Sequence, residues 1–409
     1  MRRPERARPS ATGRYTVRPV DASDLADVLA YVREFVRERV VPREDEIEAA
    51  DEGPGDLRQT CKDMGLYGFA IPEQYGGIGL SMSEEVELAM ELGWTTPSLR
   101  SLFGTNNGIA GQVLLSGGTE EQREEWLPRL ASGEVVASFA LTEPDAGSDP
   151  SSLTTRAVRD GDEWVITGSK RWITNAPLAD VLMVFARTDP DAAPAKGIST
   201  FLVPTDAAGV SFGPHDAKMG QRGSWTCEVY LDEVRIPAGH LVGAGLEDSG
   251  QGLHRGFVTA MRCLAHGRLH IAALCMGMAA RLVHETTGFA TDRRQGGHPI
   301  AAYQLVQGLV ADSVTDHRAG RALVREAAQA YDDGSDTAVG PSTAKYFCSE
   351  AVGRIADRAV QVHGGSGYMR GVPVERIYRD VRLFRIYEGT SQIQQVIIAR
   401  ATLGSAARG

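Results

Sequence analysis

The chain has 409 residues, and because single domains usually hold about 100–200 residues, two or three domains are expected. Hydrophobic residues make up 42% and charged residues 23% of the chain, an ordinary globular composition that excludes disorder as a description of the whole molecule. The formal net charge of -10 at pH 7 argues against a nucleic acid as main partner, and the absence of a run of about 18 uncharged apolar residues argues against a transmembrane helix.

The first 22 residues are predicted to form a disordered tail. Six arginines, one acidic residue and three prolines occur in the first twenty positions, so a transit peptide is the alternative interpretation. No apolar segment follows these arginines, so a secretion signal is not predicted.

Residues 23–134 are predicted to form an all-helical domain. Asp21 or Ser23 can cap a first helix, in which apolar residues recur at helical spacing until Pro42. Glycine- or proline-rich joints separate further predicted helices, at residues 56–64, 83–92, 107–115 and 120–130.

Residues 135–248 are predicted to form a small β-domain. The apolar period changes near Gly133, and Asp160-Gly161 between two strands is typical of a type I′ hairpin. Six short strands at this spacing predict a compact barrel or sandwich. The predicted strands are residues 135–141, 154–158, 163–167, 181–188, 198–204 and 226–236.

Residues 249–409 return to the helical period and are predicted to form a second helical domain. Its long first helix carries many Gly and Ala residues, which predicts one nearly smooth face. Tight helix packing and a ligand cavity are both open explanations of that face. The predicted helices are residues 253–291, 301–331, 342–362 and 391–401.

Several standard catalytic motifs are absent from the sequence. It has no Gly-Lys dipeptide, which excludes a Walker A loop, and no HExxH motif. The five cysteines include no CxxC pair and the nine histidines show no metal-binding spacing, so no metal site is predicted. The glycines between residues 243 and 252 lie outside a βαβ unit, so a Rossmann domain is not predicted.

Two segments of the β-domain have unusual chemistry. Residues 139–149 read Phe-Ala-Leu-Thr-Glu-Pro-Asp-Ala-Gly-Ser-Asp, in which Thr142 and Ser148 offer hydroxyl groups and Gly147 lets the backbone approach a ligand. Residues 170–175 read Lys-Arg-Trp-Ile-Thr-Asn, and Trp172 alone would more often belong to a core than to a ligand site.

Two further segments lie near the C-terminus. Gly364 and Gly365, within Gln-Val-His-Gly-Gly-Ser-Gly-Tyr, would end a helix with exposed backbone amides that suit a phosphate or adenosine group. Glu388, within Tyr-Glu-Gly-Thr-Ser-Gln, stands just before a helix that opens near Thr390. A lone glutamate there is usually a partner of the helix dipole.

Together these segments closely resemble the acyl-CoA dehydrogenase flavoprotein family. LTEPxAGSD, KxWITN and YEGTxQ occur jointly and in this order, and the resemblance covers about residues 24–401. It implies a multidomain α+β fold with an N-terminal all-α domain, a central β-barrel domain and a C-terminal four-helix bundle, in agreement with the element pattern.

The resemblance implies that the chain binds FAD. Thr142 would hydrogen-bond the isoalloxazine edge, Trp172 and Thr174 would lie against the flavin near N5, and Ser148 would also reach the CoA part of the substrate. Arg293 would pair with the FAD pyrophosphate across a subunit interface. The implied cofactor residues are Phe139, Leu141, Thr142, Gly147, Ser148, Trp172, Thr174, Arg293, Gln304, Gln361, Gly364, Gly365, Thr390 and Gln392.

One departure from the family pattern concerns the adenine end of that site, where Gly296-Gly297-His298 replaces a segment that usually contains an aromatic residue. The segment with Gly364 and Gly365 matches the part of a neighbouring subunit that closes over the cofactor. A homodimer or homotetramer is therefore implied, and a monomer should hold FAD poorly.

The resemblance also assigns the catalytic step to Glu388. Some relatives carry their carboxylate just before the arginine that matches Arg268, but Gly267 occupies that position here. Arg268 would lie at the acyl-binding end, with a surface arginine as the alternative, and Tyr387 and Gly389 would also contact the substrate. Glu388 would remove the α-proton while its backbone N–H donates to the thioester oxygen, and FAD N5 would accept the β-hydride.

The expected product is a trans-2-enoyl thioester, with acyl-CoA as substrate in fatty acid β-oxidation and electron-transfer flavoprotein as acceptor. Three alternatives remain open: an enzyme acting on an acyl group tethered to a carrier protein, an oxidase that uses oxygen, and a non-catalytic binding module. A bacterial cytoplasmic location is expected, with the mitochondrial matrix as the alternative.

Overall fold

The structure is a computed structural model that describes residues 21–246 and 252–407. Helices occupy both ends of this part of the chain and strands occupy its middle, which confirms the predicted order of helices, β-domain and helices. The predicted tail falls almost wholly outside the described residues, as does the predicted boundary near residue 248.

The N-terminal region contains seven α-helices among the described residues. Asp21 caps α1 by accepting from the backbone N–H of Ser23 at 3.1 Å, and the helix continues through a π-helical turn toward Pro42, as predicted. Two of the helices, α2 and α5, were not predicted. The helices are α1 Ala22–Glu34, α2 Glu44–Ala50, α3 Gly55–Asp63, α4 Met82–Leu92, α5 Pro97–Thr105, α6 Gly111–Gly117 and α7 Glu120–Ser132.

The middle region folds into one curled sheet of seven strands. Their order is β1-β4-β2-β3-β7-β6, and β5 pairs with β4 off this path. Strand β6 was missed, and β3 runs seven residues beyond its predicted end. The strands are β1 Ala137–Ala140, β2 Arg156–Asp160, β3 Glu163–Thr174, β4 Val181–Arg187, β5 Ile198–Pro204, β6 Val210–Phe212 and β7 Thr226–Pro237.

The predicted hairpin between β2 and β3 is present with a different turn. Asp160 pairs with Glu163, so the two loop residues are Gly161 and Asp162. Gly161 has φ 62° and Asp162 does not have a positive φ. A glycine with positive φ at the first loop position fits a type II′ turn, so the predicted type I′ turn was wrong.

The C-terminal region forms a bundle around α8, which contacts α4, α9 and α10. Gly364 ends α10 with φ 58°, as predicted from its glycine pair. Helix α11 was not predicted. The elements are α8 Gly256–Asp292, β8 Arg294–Gln295, β9 His298–Pro299, α9 Gln304–Asp333, α10 Val339–His363, α11 Pro373–Val381 and α12 Ser391–Leu403.

Tight helix packing explains part of the smooth face of α8, and the ligand cavity stays a prediction. A Cβ atom on Gly277 would lie 2.1 Å from the carbonyl oxygen of Met90, so this glycine permits close packing against α4. A Cβ atom on Gly267 would lie 2.9 Å from Oε1 of Glu388, so that glycine makes room for a functional group.

Helix α8 is also the one helix of the described residues whose length and composition would suit a membrane span. Of its most apolar window, 89% is buried inside the protein. That burial is typical of a core helix.

Candidate active site

Glu388 lies in an unusual backbone segment just before α12. Its φ is 55° and that of Gly389 is 86°, so two consecutive residues are left-handed. A glutamate rarely adopts this conformation, because its Cβ atom crowds the backbone. Thr390 then caps α12 by accepting from the backbone N–H of Ile393 at 3.3 Å. Surrounding groups must therefore hold the segment.

Three side chains from three helices bind the carbonyl oxygens of this segment. Arg268 Nε of α8 donates to the carbonyl oxygen of Glu388 at 3.3 Å. Gln394 Nε2 of α12 donates to those of Glu388 and Gly389, at 3.1 and 3.0 Å. Lys345 Nζ of α10 donates to that of Gly389 at 2.6 Å. Arg268 is buried, so the alternative of a surface arginine was wrong.

The carboxylate of Glu388 faces the space left by Gly267. Its Oε2 atom is buried and has no hydrogen-bond partner, although the residue as a whole is half-buried. Burial raises the pKa of Glu388, while Arg100, Arg268 and Lys345 act in the opposite direction. A carboxylate in a dry site with a raised pKa is suited to accept a proton from a weak carbon acid.

Sequence reasoning missed a polar chain that begins beside Glu388, at Arg100 of α5. The Arg100 side chain lies against Gly104 and Gly108, where any Cβ atom would come within 3 Å of it. Arg100 Nη2 lies 3.2 Å from His270 Nδ1. An arginine followed by glycines four and eight residues later is a sequence signal for such a groove, but it does not indicate what the arginine meets.

The tautomer of His270 follows from that contact. Because arginine only donates, Nδ1 of His270 must accept, and its Nε2–H then donates to Glu85 of α4. His266 Nε2 lies 2.9 Å from the same carboxylate oxygen. Burial lowers the pKa of His270 to about 4 and acts to raise that of Glu85, which the two imidazoles nevertheless hold below its usual value.

Glu85, His266 and His270 also have the composition of a metal site, since their ligand atoms lie within 4.8 Å of one another. The statement that no histidines show metal-binding spacing was therefore wrong, because His266 and His270 share one face of α8. However, the Nε2 atom of His270 carries the hydrogen that Glu85 accepts, which describes a hydrogen-bonded network and not a ligand set.

The residues expected at the flavin ring come together where β1 and β3 end. The backbone N–H of Arg171 donates to the carbonyl oxygen of Thr142 at 2.9 Å and joins the two segments. Trp172 sits at a β-bulge with φ 56° and is 55% exposed, so it does not belong to the core. Thr174 is half-buried nearby in sequence, whereas the side chain of Leu141 is buried.

A buried carboxylate, that of Glu143, stabilises the loop that follows β1. Glu143 accepts from the backbone N–H groups of Thr154 and Thr155 at 2.6 and 2.9 Å and from Lys170 Nζ at 2.8 Å. Gly147 and Ser148 of the same loop are exposed. Phe139 packs on Phe185 with ring centroids 4.7 Å apart.

These groups fit the ring system of FAD. An exposed indole offers a flat apolar surface, Thr142 and Thr174 in the same two segments offer hydroxyl groups, and the open backbone at Gly147 permits close approach. The donors and the aromatic surface match a planar heteroaromatic ligand with polar edges.

The remaining predicted cofactor residues lie in the helical bundle. Stacking of Phe289 on His363, at 4.2 Å between centroids, brings together the C-terminal ends of α8 and α10. Within the described ranges, no hydrogen bond joins the remaining predicted cofactor residues to Thr142, Trp172 or Thr174. The group comprises the exposed residues Arg293, Gln304, Gln361, Gly364 and Gly365, and Gln392 is likewise exposed on α12.

The departure at Gly296-Gly297 has a local structural reason. Both glycines have positive φ, 60° and 84°, and they form the turn between β8 and β9. Tyr303 Oη donates to the carbonyl oxygen of Gln295 at 2.8 Å, so an aromatic side chain reaches this hairpin from a later position in the chain.

Three family models match consecutive parts of the chain. They are described as the acyl-CoA dehydrogenase N-terminal domain at residues 23–134, middle domain at 138–234 and C-terminal domain at 254–403.

Relatives and a solved structure agree with these matches. A cyclohexane-1-carbonyl-CoA dehydrogenase of Geobacter metallireducens is 38% identical and covers 94% of this chain and 99% of its own. A caffeyl-CoA reductase-Etf complex subunit of Acetobacterium woodii is 37% identical over 87% of this chain and 91% of its own. The structure of a glutaryl-CoA dehydrogenase from Mycobacterium smegmatis in complex with FADH2 has a TM-score of 0.85 and 31% identity, and covers 95% of this chain and 97% of its own.

Proposed function

The chain belongs to the acyl-CoA dehydrogenase family of oxidoreductases acting on CH–CH groups, and from this premise we propose that it oxidises an acyl-CoA to the trans-2-enoyl-CoA with Glu388 as the base. The observation that carries the proposal is the buried, unpartnered Oε2 atom of Glu388, whose carboxylate lies against Gly267, where a Cβ atom would crowd it.

Two groups of one residue serve the proton transfer. The carboxylate of Glu388 takes the α-proton, and burial matches its pKa to that task. No described group accepts from the backbone N–H of Glu388, so this donor is available for the thioester oxygen, on which charge develops. The left-handed backbone fixes the N–H relative to the carboxylate.

FAD, when bound, supplies the acceptor for the β-hydride. Thr142, Trp172 and Thr174 hold its ring system in the proposal, with Phe139, Gly147 and Ser148 around them. Arg293, Gln304, Gln361, Gly364 and Gly365 hold the rest of a cofactor bound to a second subunit, and Thr390 and Gln392 complete the set.

A homo-oligomer, dimer or tetramer, follows from that division of the cofactor residues. Large apolar side chains lie exposed close in sequence to the Arg293 group, among them Leu305 at 87% and Tyr368 at 85% exposure. Apolar surface of this kind favours contact with another subunit.

The proposed electron acceptor is an electron-transfer flavoprotein, which the name of the Acetobacterium woodii relative supports. A relative named as a reductase also makes the direction of the reaction a point to measure. Since the named relatives come from bacteria, we place the protein in the bacterial cytoplasm.

The decisive test combines acyl-CoA oxidation with Glu388→Gln. Purified protein should be yellow, and a panel of straight and branched acyl-CoAs should bleach it anaerobically. Glu388→Gln should keep FAD and bind ligand but lose at least ~10²-fold in turnover. Retained turnover would exclude Glu388 as the base, and a colourless protein that FAD cannot reconstitute would favour a non-catalytic module.

Two further assays separate the enzymatic alternatives. One acyl group should be presented both as its CoA thioester and on a carrier protein, and preference for the second would replace the CoA assignment. Peroxide formed without an acceptor protein would identify an oxidase.

Arg100 favours a second candidate, an acyl group that ends in a carboxylate. Its guanidinium has five N–H donors, and among the described residues only His270 Nδ1 accepts from it. Burial raises the pKa of Glu388, and among the nearby cations Arg100 opposes that rise most strongly, so its charge acts on the same site. Charge-assisted hydrogen bonds to a distal carboxylate would satisfy it.

Activity on two acyl-CoAs of equal length, one ending in a carboxylate and one in a methyl group, tests this candidate. The wild type should prefer the first, Arg100→Met should prefer the second, and Arg100→Lys should lie between them. An unchanged preference in Arg100→Met would exclude the carboxylate.

A further inference from the structure

Lys345 is a buried cation next to the Glu388–Gly389 segment, and it has no part in the proton and hydride transfers proposed above. Its side chain on α10 is 0% exposed. Its Nζ atom donates to the carbonyl oxygen of Gly389 at 2.6 Å, and no carboxylate of the described residues lies within 4.0 Å of it. A buried ammonium group without a directly paired carboxylate is costly, so its presence calls for a compensating role.

The groups that face Lys345 come from each element around it. On α8 these are the Cys275 thiol, which burial keeps neutral by raising its pKa, and the cation of Arg268. On its own helix the carboxylate is Glu350, which already pairs with Arg385 at 3.1 Å and accepts from Ser391 at 2.7 Å. Glu388 is therefore the facing carboxylate that has no ion-pair partner of its own.

The hydrogen bond of Lys345 also acts on the strained part of the site. Gly389 follows Glu388 in the left-handed pair, and its carbonyl oxygen is shared by Lys345 and Gln394. Since α10 is packed against α8, the bond ties the segment to the packed pair of helices α8 and α10. Losing it would allow the Gly389 peptide to rotate and the Glu388 carboxylate to turn away from Gly267.

We propose that Lys345 is a positioning residue for Glu388, holding the Glu388–Gly389 turn through the Gly389 carbonyl and stabilising the ionised carboxylate by its charge. The inference rests on the proposed function of Glu388. Burial lowers the pKa of Lys345 to about 8, so it remains largely protonated at neutral pH, as the role requires.

The test compares Lys345→Met with wild-type holoenzyme over a range of pH. Removing a positive charge near a carboxylate raises its pKa, so the acid limb of kcat/KM should move up by about half a unit or more. Loss of the turn geometry should lower kcat at neutral pH by about 10-fold while KM changes little. Lys345→Gln, which keeps a donor but not the charge, should show the shift with a smaller fall in kcat.

Cys348→Ala is the matched control. Cys348 is also fully buried on α10, but its Sγ atom faces the carbonyl oxygen of Gly320 on α9 and not the Glu388 segment. This variant should lose stability without moving the acid limb. If it moves the limb as far as Lys345→Met does, general loosening of α10 explains the effect and the proposal is wrong.

A measurement independent of turnover separates this inference from the proposed function. Infrared difference spectra can follow protonation of Glu388 through its carboxyl band, identified by its loss in Glu388→Gln. That band should titrate at higher pH in both Lys345 variants. An unchanged titration would overturn the role of Lys345 even if Glu388 is the base, whereas absence of turnover with every thioester would overturn the function and leave the infrared result standing.

Discussion

The candidate site has two parts, the proposed flavin site and the segment of the proposed base, and each contacts a buried lysine. The two lysines make different hydrogen bonds. Lys170, under the proposed flavin half, donates to the Glu143 carboxylate and to two backbone carbonyls. Lys345, under the proposed base half, donates to a backbone carbonyl alone. Burial lowers the pKa of each to about 8.

The difference lies in where the compensating negative charge resides. Glu143 neutralises Lys170 within the scaffold, which makes that pair a structural support. The field of Lys345 instead reaches Glu388, a group that must change its protonation during the proposed reaction. One lysine is thus coupled to folding and the other to chemistry.

The largest expected effect comes from separating the ion pair of Lys170 and Glu143, called the scaffold pair here. Lys170→Met leaves the Glu143 charge buried without its partner and should lower the free energy of unfolding by about 3–5 kcal/mol. Urea unfolding measures this. In the double variant Lys170→Met/Glu143→Gln the stranded charge is gone, so part of the loss should return; equal losses in both would show that the charge is not the cause.

In the part of the site around Glu388, the substitution expected to have the largest effect is at Gly267. Gly267→Ala places a Cβ atom against Oε1 of Glu388 and should displace the carboxylate, lowering kcat by about 10²-fold with FAD content unchanged. Gly288→Ala is the matched control, since it lies on the same helix with no atom within 4 Å of the added Cβ. A fall in kcat confined to Gly267→Ala supports the comparison.

Acid should weaken the scaffold pair. The buried position of Glu143 acts to raise its pKa, but Lys170 and backbone donors lower it to about 2. A lowered folded-state pKa stabilises the fold above the unfolded value of about 4.3, and that contribution is lost as the pH falls toward 2. Stability should therefore drop by about 1–3 kcal/mol more in the wild type than in Lys170→Met/Glu143→Gln, measured by urea unfolding between pH 3 and 7.

The smallest effect is expected at Trp172, whose exposed side chain contributes little to the core. Trp172→Ala should weaken FAD binding by about 10-fold, the scale of one aromatic stacking contact, without changing the stability of the apoprotein. Trp172→Phe keeps an aromatic plane and should retain most of the affinity. Equal FAD binding by all three proteins would remove Trp172 from the flavin site.

Local signals in the sequence predicted much of the fold. Asp21 caps α1, a two-residue loop containing Gly161 closes the β2–β3 hairpin, and Gly364 ends α10, because each depends on residues close in the chain. The far end of β3 was missed because its register shifts at Gly168 and again before Ile173, which interrupts the alternation that identifies a strand.

The candidate site was predictable only where a motif carried it. Glu388 and Trp172 follow from family motifs, although their left-handed backbones do not. The contacts of Arg100 with His270 and of Lys345 with Gly389 join residues 170 and 44 positions apart. Only the packing of different helices creates such contacts, so one sequence gives no local sign of them.

Helix α8 sets a strict limit on insertions and deletions in this chain. It carries Gly267 against Glu388, His270 in the polar network and Gly277 against α4. Each residue advances a helix by about 100°, so one inserted residue between Gly267 and Gly277 would turn one contact away while the other stayed in place. Length changes in α8 should therefore be tolerated only outside this interval, which makes it a natural reference for aligning distant homologues.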